Sequence, residues 1–182
     1  CSELYPGWLT HWGEAWASVK TEEVVKDLRW LLDNKKSFNL YVFHGGTNFG
    51  FMAGANYGNE YQPDVTSYDY DAPLDEMGRP TPKYFAIREA LAAVQPKGVD
   101  LPDLPAPLPV IEIPEFTPAR STSVFDNLPR PIASPQPKPM EGFDQNYGFI
   151  LYRTRLVGHR SGKLTITDVH DFANVYADGR YI

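Results

Sequence analysis

A chain of mixed class is predicted, with an α/β segment in the order strand–helix–strand–helix, then a proline-rich linker, then an all-β segment. Three observations carry this. Residues 21–35 repeat apolar side chains at helical spacing between two short strand-like stretches. Residues 96–139 hold twelve of the 17 prolines and almost no periodicity. From residue 147 on, the chain alternates or runs β-branched between glycine turns. The expected boundaries are 1–95, 96–140 and 141–182. The first segment reads as the last strands and helices of a (β/α)8 barrel, the third as the opening of a β-sandwich. Two strands and two helices cannot close a barrel. A longer protein is therefore expected, and both ends of the chain read as cuts.

Composition narrows the function classes. The 182 residues are 42% hydrophobic and 22% charged, which suits a globular core. A net charge of -6 without any basic run argues against a nucleic-acid partner. No apolar run approaches the roughly 20 residues of a membrane span. The single cysteine excludes an internal disulfide framework and says little about compartment. His11, His44, His159 and His170 are too scattered for a metal site, and neither metal nor cofactor is expected. Aromatic residues are abundant at 14% and crowd into the first third and last quarter. Either a tyrosine-rich core or an aromatic ligand site would account for them.

Taken in order, residues 1–8 read as the tail of a strand entering a turn at Pro6-Gly7, with Glu3 between an apolar turn and the aromatics Tyr5 and Trp8. The loop from Trp8 to Trp16 carries three tryptophans, which suit a sugar platform or a wall between cleft and core. Thr21 is the expected N-cap of the first helix, with Glu22 and Glu23 in the first turn. Val24, Val25, Leu28, Leu31 and Leu32 give its apolar face. Residues 38–43 predict a short buried strand, ending at His44-Gly45-Gly46, where glycines permit close backbone approach or a positive φ.

Residues 50–80 predict a long ordered loop rich in Gly, Asn, Tyr and Asp. Within it, Tyr68-Asp69-Tyr70-Asp71 is either a phenol donor aimed at a sugar or at Glu3, or an Asp-capped turn. A second helix is predicted over 81–94, with Thr81 as cap, Pro82 in the first position and Phe85, Ile87, Leu91 and Val94 on its buried face. The linker is too apolar for a free tether and should lie against a surface. Strands are predicted over 147–157, 163–169 and 172–177, and Asp178-Gly179 signals a tight hairpin.

Flat aromatic faces with carboxylates are the means by which sugars are held and glycosidic bonds cut. On residue chemistry alone, Glu14, Glu60, Asp69 and Asp71 compete with Glu3 for a catalytic role, since all lie near aromatics. Four motifs separate them: Glu3-Leu4-Tyr5-Pro6-Gly7-Trp8 with His11-Trp12-Gly13, then Asn39-Leu40-Tyr41, then Gly45-Gly46-Thr47-Asn48-Phe49, then Ser67 to Leu74. In order and spacing they closely resemble the glycoside hydrolase family 35 β-galactosidases, and the likeness extends through the linker to Tyr147–Thr154.

The resemblance implies a retaining exo-β-galactosidase that releases terminal β-linked galactose, with a catalytic (β/α)8 barrel followed by β-sandwich, jelly-roll-like domains. It implies that Glu3 is the nucleophile at the end of the seventh barrel strand. Tyr5 would flank it in the cleft, Tyr41 and Tyr70 would contact the galactose or the nucleophile, and Trp8 would join these three tyrosines in binding substrate. Gly45, Gly46, Asn48 and Asp69 would support the site, Asp69 as a hydrogen-bond acceptor holding the tyrosine loop. The acid/base glutamate would lie upstream of Cys1, so the 182-residue chain alone is expected to be inactive. Galactosides are the implied partners, and a secreted, periplasmic or lysosomal location is the family expectation. Two alternatives remain open from sequence, a non-catalytic sugar-binding remnant and a related retaining β-glycosidase with another sugar specificity. Oligomeric state is not readable.

Overall fold

The computed structural model describes residues 1–182. Its elements are helix α1 (Thr21–Asp33), strands β1 (Ala55–Tyr57) and β2 (Tyr61–Pro63), helix α2 (Pro82–Ala92), two 3-10 turns (Val124–Asp126 and Met140–Phe143), and strands β3 (Tyr176–Ala177) and β4 (Arg180–Tyr181). The chain divides into two units, Cys1–Pro109 with Asp171–Ile182, and Val110–His170.

In the first unit, α1 and α2 pack together through Val24, Leu28, Ile87 and Ala90, and Leu4, Phe38 and Leu40 lean against them. α1 begins with Thr21 as its first helical residue, and Lys20 is the cap without a side-chain bond. Thr21 is therefore not the N-cap. The helix closes in a Schellman motif, with Lys36 N–H donating to Leu31 O and Lys35 N–H to Leu32 O. Lys35 takes the left-handed position at φ 52°, usually a glycine's. α2 starts at Pro82, and the Thr81 side chain accepts from Tyr84 N–H.

The buried face of α2 is Lys83, Ile87 and Ala90, whereas Phe85 and Val94 are about half exposed. Positions 83, 87 and 90 share a face at spacings of four and three, while residue 85 points to another side. A lysine holds the place where apolar periodicity pointed elsewhere.

The two strand-like stretches run parallel and touch at one bridge, Leu4 with Leu40. Leu4 N–H donates to Asn39 O (2.8 Å) and Tyr41 N–H donates to Leu4 O (2.9 Å). Residues 38–43 are not a buried strand: only Leu40 forms a bridge, residues 41–43 turn, and Tyr41 and Phe43 are exposed, the Phe43 ring lying 5.9 Å from Tyr84 on α2. A strand is buried on both faces only when something covers both, and the helices cover one.

Within the expected 50–80 loop a small antiparallel hairpin, β1 with β2, pairs Ala55 with Pro63 and Tyr57 with Tyr61. The loop also bonds back to its neighbours. Trp12 N–H donates to Pro63 O (2.7 Å), Asn48 N–H to Thr66 O (2.8 Å), and Leu74 N–H to Phe43 O (3.1 Å).

The strands expected over 147–157 and 163–169 are absent, and that over 172–177 shrinks to β3. No ladder or bridge joins residues 147–169 to any neighbour, and without a ladder the extended conformation gains no strand hydrogen bonds. The Asp178-Gly179 turn does form, with φ 49° and 77°, and joins β3 to β4. In the second unit, Ser123 caps the first 3-10 turn, and the Gln145 side-chain amide donates to Tyr147 O (3.1 Å) and Phe149 O (2.7 Å).

No helix is long and apolar enough to cross a membrane. At the start of the linker, Arg88 on α2 donates to Pro102 O (2.6 Å), while Leu108, Ile111, Ile113 and Phe116 are exposed.

Candidate active site

Alternation along the two paired stretches builds the site. Leu4 and Leu40 point to the helices, so Glu3, Tyr5 and Tyr41 point to the opposite face. The Tyr5 hydroxyl donates to Glu3 Oε2. That bond is the first cause of the raised Tyr5 pKa, because losing the proton would set a phenolate beside the carboxylate.

The ring of Tyr5 meets Trp8 edge-on at 5.6 Å and Tyr41 at 5.9 Å. Tyr70 closes the group, 5.9 Å from Tyr41 and 6.0 Å from Trp8, with Tyr68 5.3 Å beyond it. Four of the five rings keep a partly open face, whereas Tyr70 is 3% exposed. Burial pushes the Tyr70 phenol up to about 12, with Tyr41, Tyr5 and Glu3 adding to it. Burial, then a hydrogen bond with Tyr41, pushes Tyr68 higher still. These phenols therefore stay protonated donors across the working range of enzymes.

The phenol on Glu3 is that of Tyr5, a neighbour in sequence, while Tyr41 and Tyr70 contribute their rings. Two glycines let the Tyr68–Asp71 segment lie against the strand ends. A Cβ on Gly7 would sit 1.8 Å from Tyr70 O, and one on Gly45 would sit 1.7 Å from Tyr68 O. Gly46 takes a φ of 86°. Asn48 acts through its backbone N–H on Thr66 O. Asp69 accepts Asp71 N–H and Glu76 N–H at 3.1 Å each, which folds the loop under Tyr70.

The competing carboxylates are engaged elsewhere. Glu14 faces His11 Nδ1 at 2.9 Å, and Asp71 Oδ2 accepts Val19 N–H and the Lys83 ammonium. Glu60 lies in the turn between β1 and β2. Glu3 is the carboxylate that accepts a phenol of the ring cluster, while Asp69, Asp71 and Glu76 line a hollow beside Trp8 and Tyr70.

Three participants carry no sequence signal of their own. Gly7 reads as an ordinary turn residue, Lys83 as a solvated helix lysine, and Glu76 as a surface acid. Glu76 instead accepts the hydroxyls of Thr47 and Ser67 and lines a hollow of about 270 Å3 with Trp8, Trp16 and Tyr70. A larger hollow, about 690 Å3, runs along α1 past Trp30 and holds none of the cluster. Trp12 is 78% exposed and stands outside the ring group.

His11 ties the tryptophan loop to β1, with Nε2 2.9 Å from Asn56 Oδ1 and 3.7 Å from the buried Asp64 Oδ1. The Asn56 bond leads the causes that raise its pKa, with Glu14 and Asp64 adding to it against burial. No group of three or more His, Cys, Asp or Glu is placed to hold a metal ion.

Comparison with known proteins gives two family matches. The model of glycosyl hydrolases family 35 covers residues 1–94, and that of the β-galactosidase first all-beta domain covers residues 137–182. A β-galactosidase of Xanthomonas manihotis is 48% identical over 182 residues, 98% of this chain and 30% of that protein. Human β-galactosidase is 40% identical over 189 residues, 98% of this chain and 27% of that protein. β-Galactosidase 1 of Dictyostelium discoideum is 36% identical over 196 residues, 100% of this chain and 29% of that protein. The chain thus spans about 30% of the length of the curated relatives it matches. With the carboxylate–ring cluster lying wholly within the matched first half, the chain belongs to glycosyl hydrolases family 35.

Proposed function

We propose that the chain is the part of a retaining β-galactosidase that carries the nucleophile, Glu3. The observation that supports this best is a carboxylate, held by one phenol, on a face whose open rings are Tyr5, Trp8 and Tyr41, packed on the buried Tyr70. Apolar sugar faces stack on such rings, and the carboxylate would meet the anomeric carbon beside them.

A retaining glycosidase needs two carboxyl groups about 5–5.5 Å apart. Glu3 would attack with Oε1 while the Tyr5 hydroxyl holds Oε2, a bond that favours the ionised form the attack requires. The other carboxyl, supplied by residues preceding Cys1, would protonate the leaving oxygen and then deprotonate the water that releases galactose. In this reading the Leu4 and Leu40 stretches are neighbouring parallel strands of a (β/α)8 barrel, with α1 and α2 packed outside them. Residues 96–140 would link that barrel to a β-sandwich beginning near 141. The parallel Leu4–Leu40 bridge and the position of both helices on one side support it.

In the complete protein, Glu3→Gln is expected to keep galactoside binding and lose turnover on the order of a thousandfold or more, about 4 kcal/mol of barrier. Glu3→Gly with added azide should give α-galactosyl azide, because azide fills the vacated face. Wild-type turnover in Glu3→Gln would sink the assignment. A panel of aryl β-glycosides tests the sugar.

A further inference from the structure

Lys83 is buried to 3% exposure in the first turn of α2. Its Nζ donates to Pro6 O (2.6 Å), to Asp71 O (2.6 Å) and to Asp71 Oδ2 (2.8 Å). An ammonium has three donors, and here all three are used. Asp71 is itself fixed, since its Oδ2 also takes Val19 N–H at 2.7 Å. The side chain thus joins three separate pieces of chain: the turn after Glu3, the end of the tyrosine loop, and the start of α2.

Stability alone is a poor account of such a group. A buried ion pair rarely improves on an apolar residue of similar length, and this face already packs Ile87 and Ala90. What the ammonium does that a methyl group cannot is fix two acceptors relative to each other. Pro6 follows Tyr5, whose hydroxyl holds Glu3. Asp71 follows Tyr70, whose ring meets Tyr41 and Trp8. Both Tyr70 and Asp71 sit in the left-handed region, at φ 65° and 50°, which L residues avoid unless held. The Gly7 backbone, next to Pro6, approaches the Tyr70 backbone so closely that a Cβ on it would sit 1.8 Å from Tyr70 O.

We propose that Lys83 is a positioning residue, whose ammonium clamps the Pro6 carbonyl to Asp71 and so holds the Glu3–Tyr5 pair and the Tyr70 ring in the relative placement that turnover needs. The inference rests on Glu3 acting as nucleophile. It touches no substrate and acts only through those residues. A misplacement of about 1 Å at a reacting group can lower turnover about a hundredfold, so the effect belongs in kcat.

The test measures kcat, KM and Tm of the complete protein on an aryl β-galactoside for Lys83→Met, Asp71→Asn and Thr81→Ala. Thr81→Ala removes the α2 cap and the hydroxyl's bond to Pro73 O, leaves the three bonds of the Lys83 ammonium in place, and serves as the structural control. The expected result is a loss of kcat of about thirtyfold or more in Lys83→Met and Asp71→Asn, with KM within about threefold. Thr81→Ala should keep kcat within about twofold while lowering Tm. If Lys83→Met does not fold, Asp71→Asn decides alone, because it keeps the side-chain shape.

Wild-type kcat in either folded clamp variant overturns the proposal. So does a kcat loss in Thr81→Ala that matches theirs. Glu3→Gln is measured alongside. If it is active, the nucleophile reading has failed. If it is inactive while the clamp variants turn over normally, only the clamp has failed.

Discussion

Replacing Gly7 with alanine would put a methyl group 1.8 Å from Tyr70 O, 2.9 Å from Tyr70 C and 3.0 Å from Asp71 O. Real Cβ atoms do not approach closer than 3.0 Å, so the two backbones must part by about 1.2 Å. The obstructing atoms are backbone, and no rotamer change relieves them. Nor can the Tyr70–Asp71 segment slide freely, because Lys83 and Val19 hold Asp71.

Overpacking of this kind costs about 1–3 kcal/mol, and more where the neighbours cannot yield. A shift of that size between the Glu3 turn and the Tyr70 ring should lower kcat about a hundredfold. Gly13→Ala is the comparison. Its φ of 86° penalises alanine by about 1 kcal/mol, but nothing lies within 4 Å of the added methyl. Tm and kcat of the complete protein would be measured for both variants. Gly7→Ala is expected to lose both, and Gly13→Ala only some Tm. A Gly7→Ala protein with wild-type kcat would refute the reasoning, since it would mean the close approach does not set the placement of Tyr70.

Two further perturbations read other parts of the first unit. The raised His11 pKa means the folded form binds its proton more tightly than the unfolded chain, so its stabilising effect is fully present below the unfolded value of about 6.5 and fades as pH rises through the folded value. The Tm difference between wild type and His11→Asn should therefore be larger at pH 5.5 than at pH 8, and an equal difference at both would dismiss a stabilising role for the protonated imidazole. Leu28, fully buried between α1 and α2, should cost about 2–5 kcal/mol as alanine, read as a lowered Tm with kcat preserved in the folded fraction.

The legibility of this chain follows the range of its interactions. Both helices were readable because periodicity, the Thr81 cap and Pro82 are local signals. The Asp178-Gly179 turn was readable because two adjacent residues specify it. Glu3 and Tyr5 stand two residues apart, and alternation alone aims them the same way.

What escaped depends on distant partners. The acceptors of Lys83 lie 77 and 12 residues away, and nothing near position 83 marks it as buried. The need for glycine at position 7 comes from a carbonyl 63 residues on, at Tyr70. The β1–β2 hairpin has strands of three residues each, too short for alternation to register. Residues 147–169 show the reverse case, where a strand-like pattern is present and no strand ladder or bridge forms along it.

Tyr70 brings these long-range contacts together. Its backbone is in the left-handed region, its carbonyl is pressed against Gly7, and the residue after it is gripped by an ammonium. Each condition alone is unfavourable: the φ value for an L residue, the desolvated charge, and a contact that tolerates no side chain. They persist together because each makes the others possible. The left-handed turn aims Asp71 back at Lys83, the ammonium is satisfied only because the Asp71 and Pro6 acceptors converge, and they converge only because Gly7 lets the backbones meet. A loop ring set by one weak contact would sample several placements. A ring set by three coupled ones has a single placement, and Trp8 and Tyr41, which pack on it, inherit that placement. Coupling of this kind is measurable. The kcat losses of Gly7→Ala and Lys83→Met should be far from additive in the double variant, because the first change already removes what the second protects. Independent, multiplying losses would mean that the glycine and the lysine hold Tyr70 by separate routes.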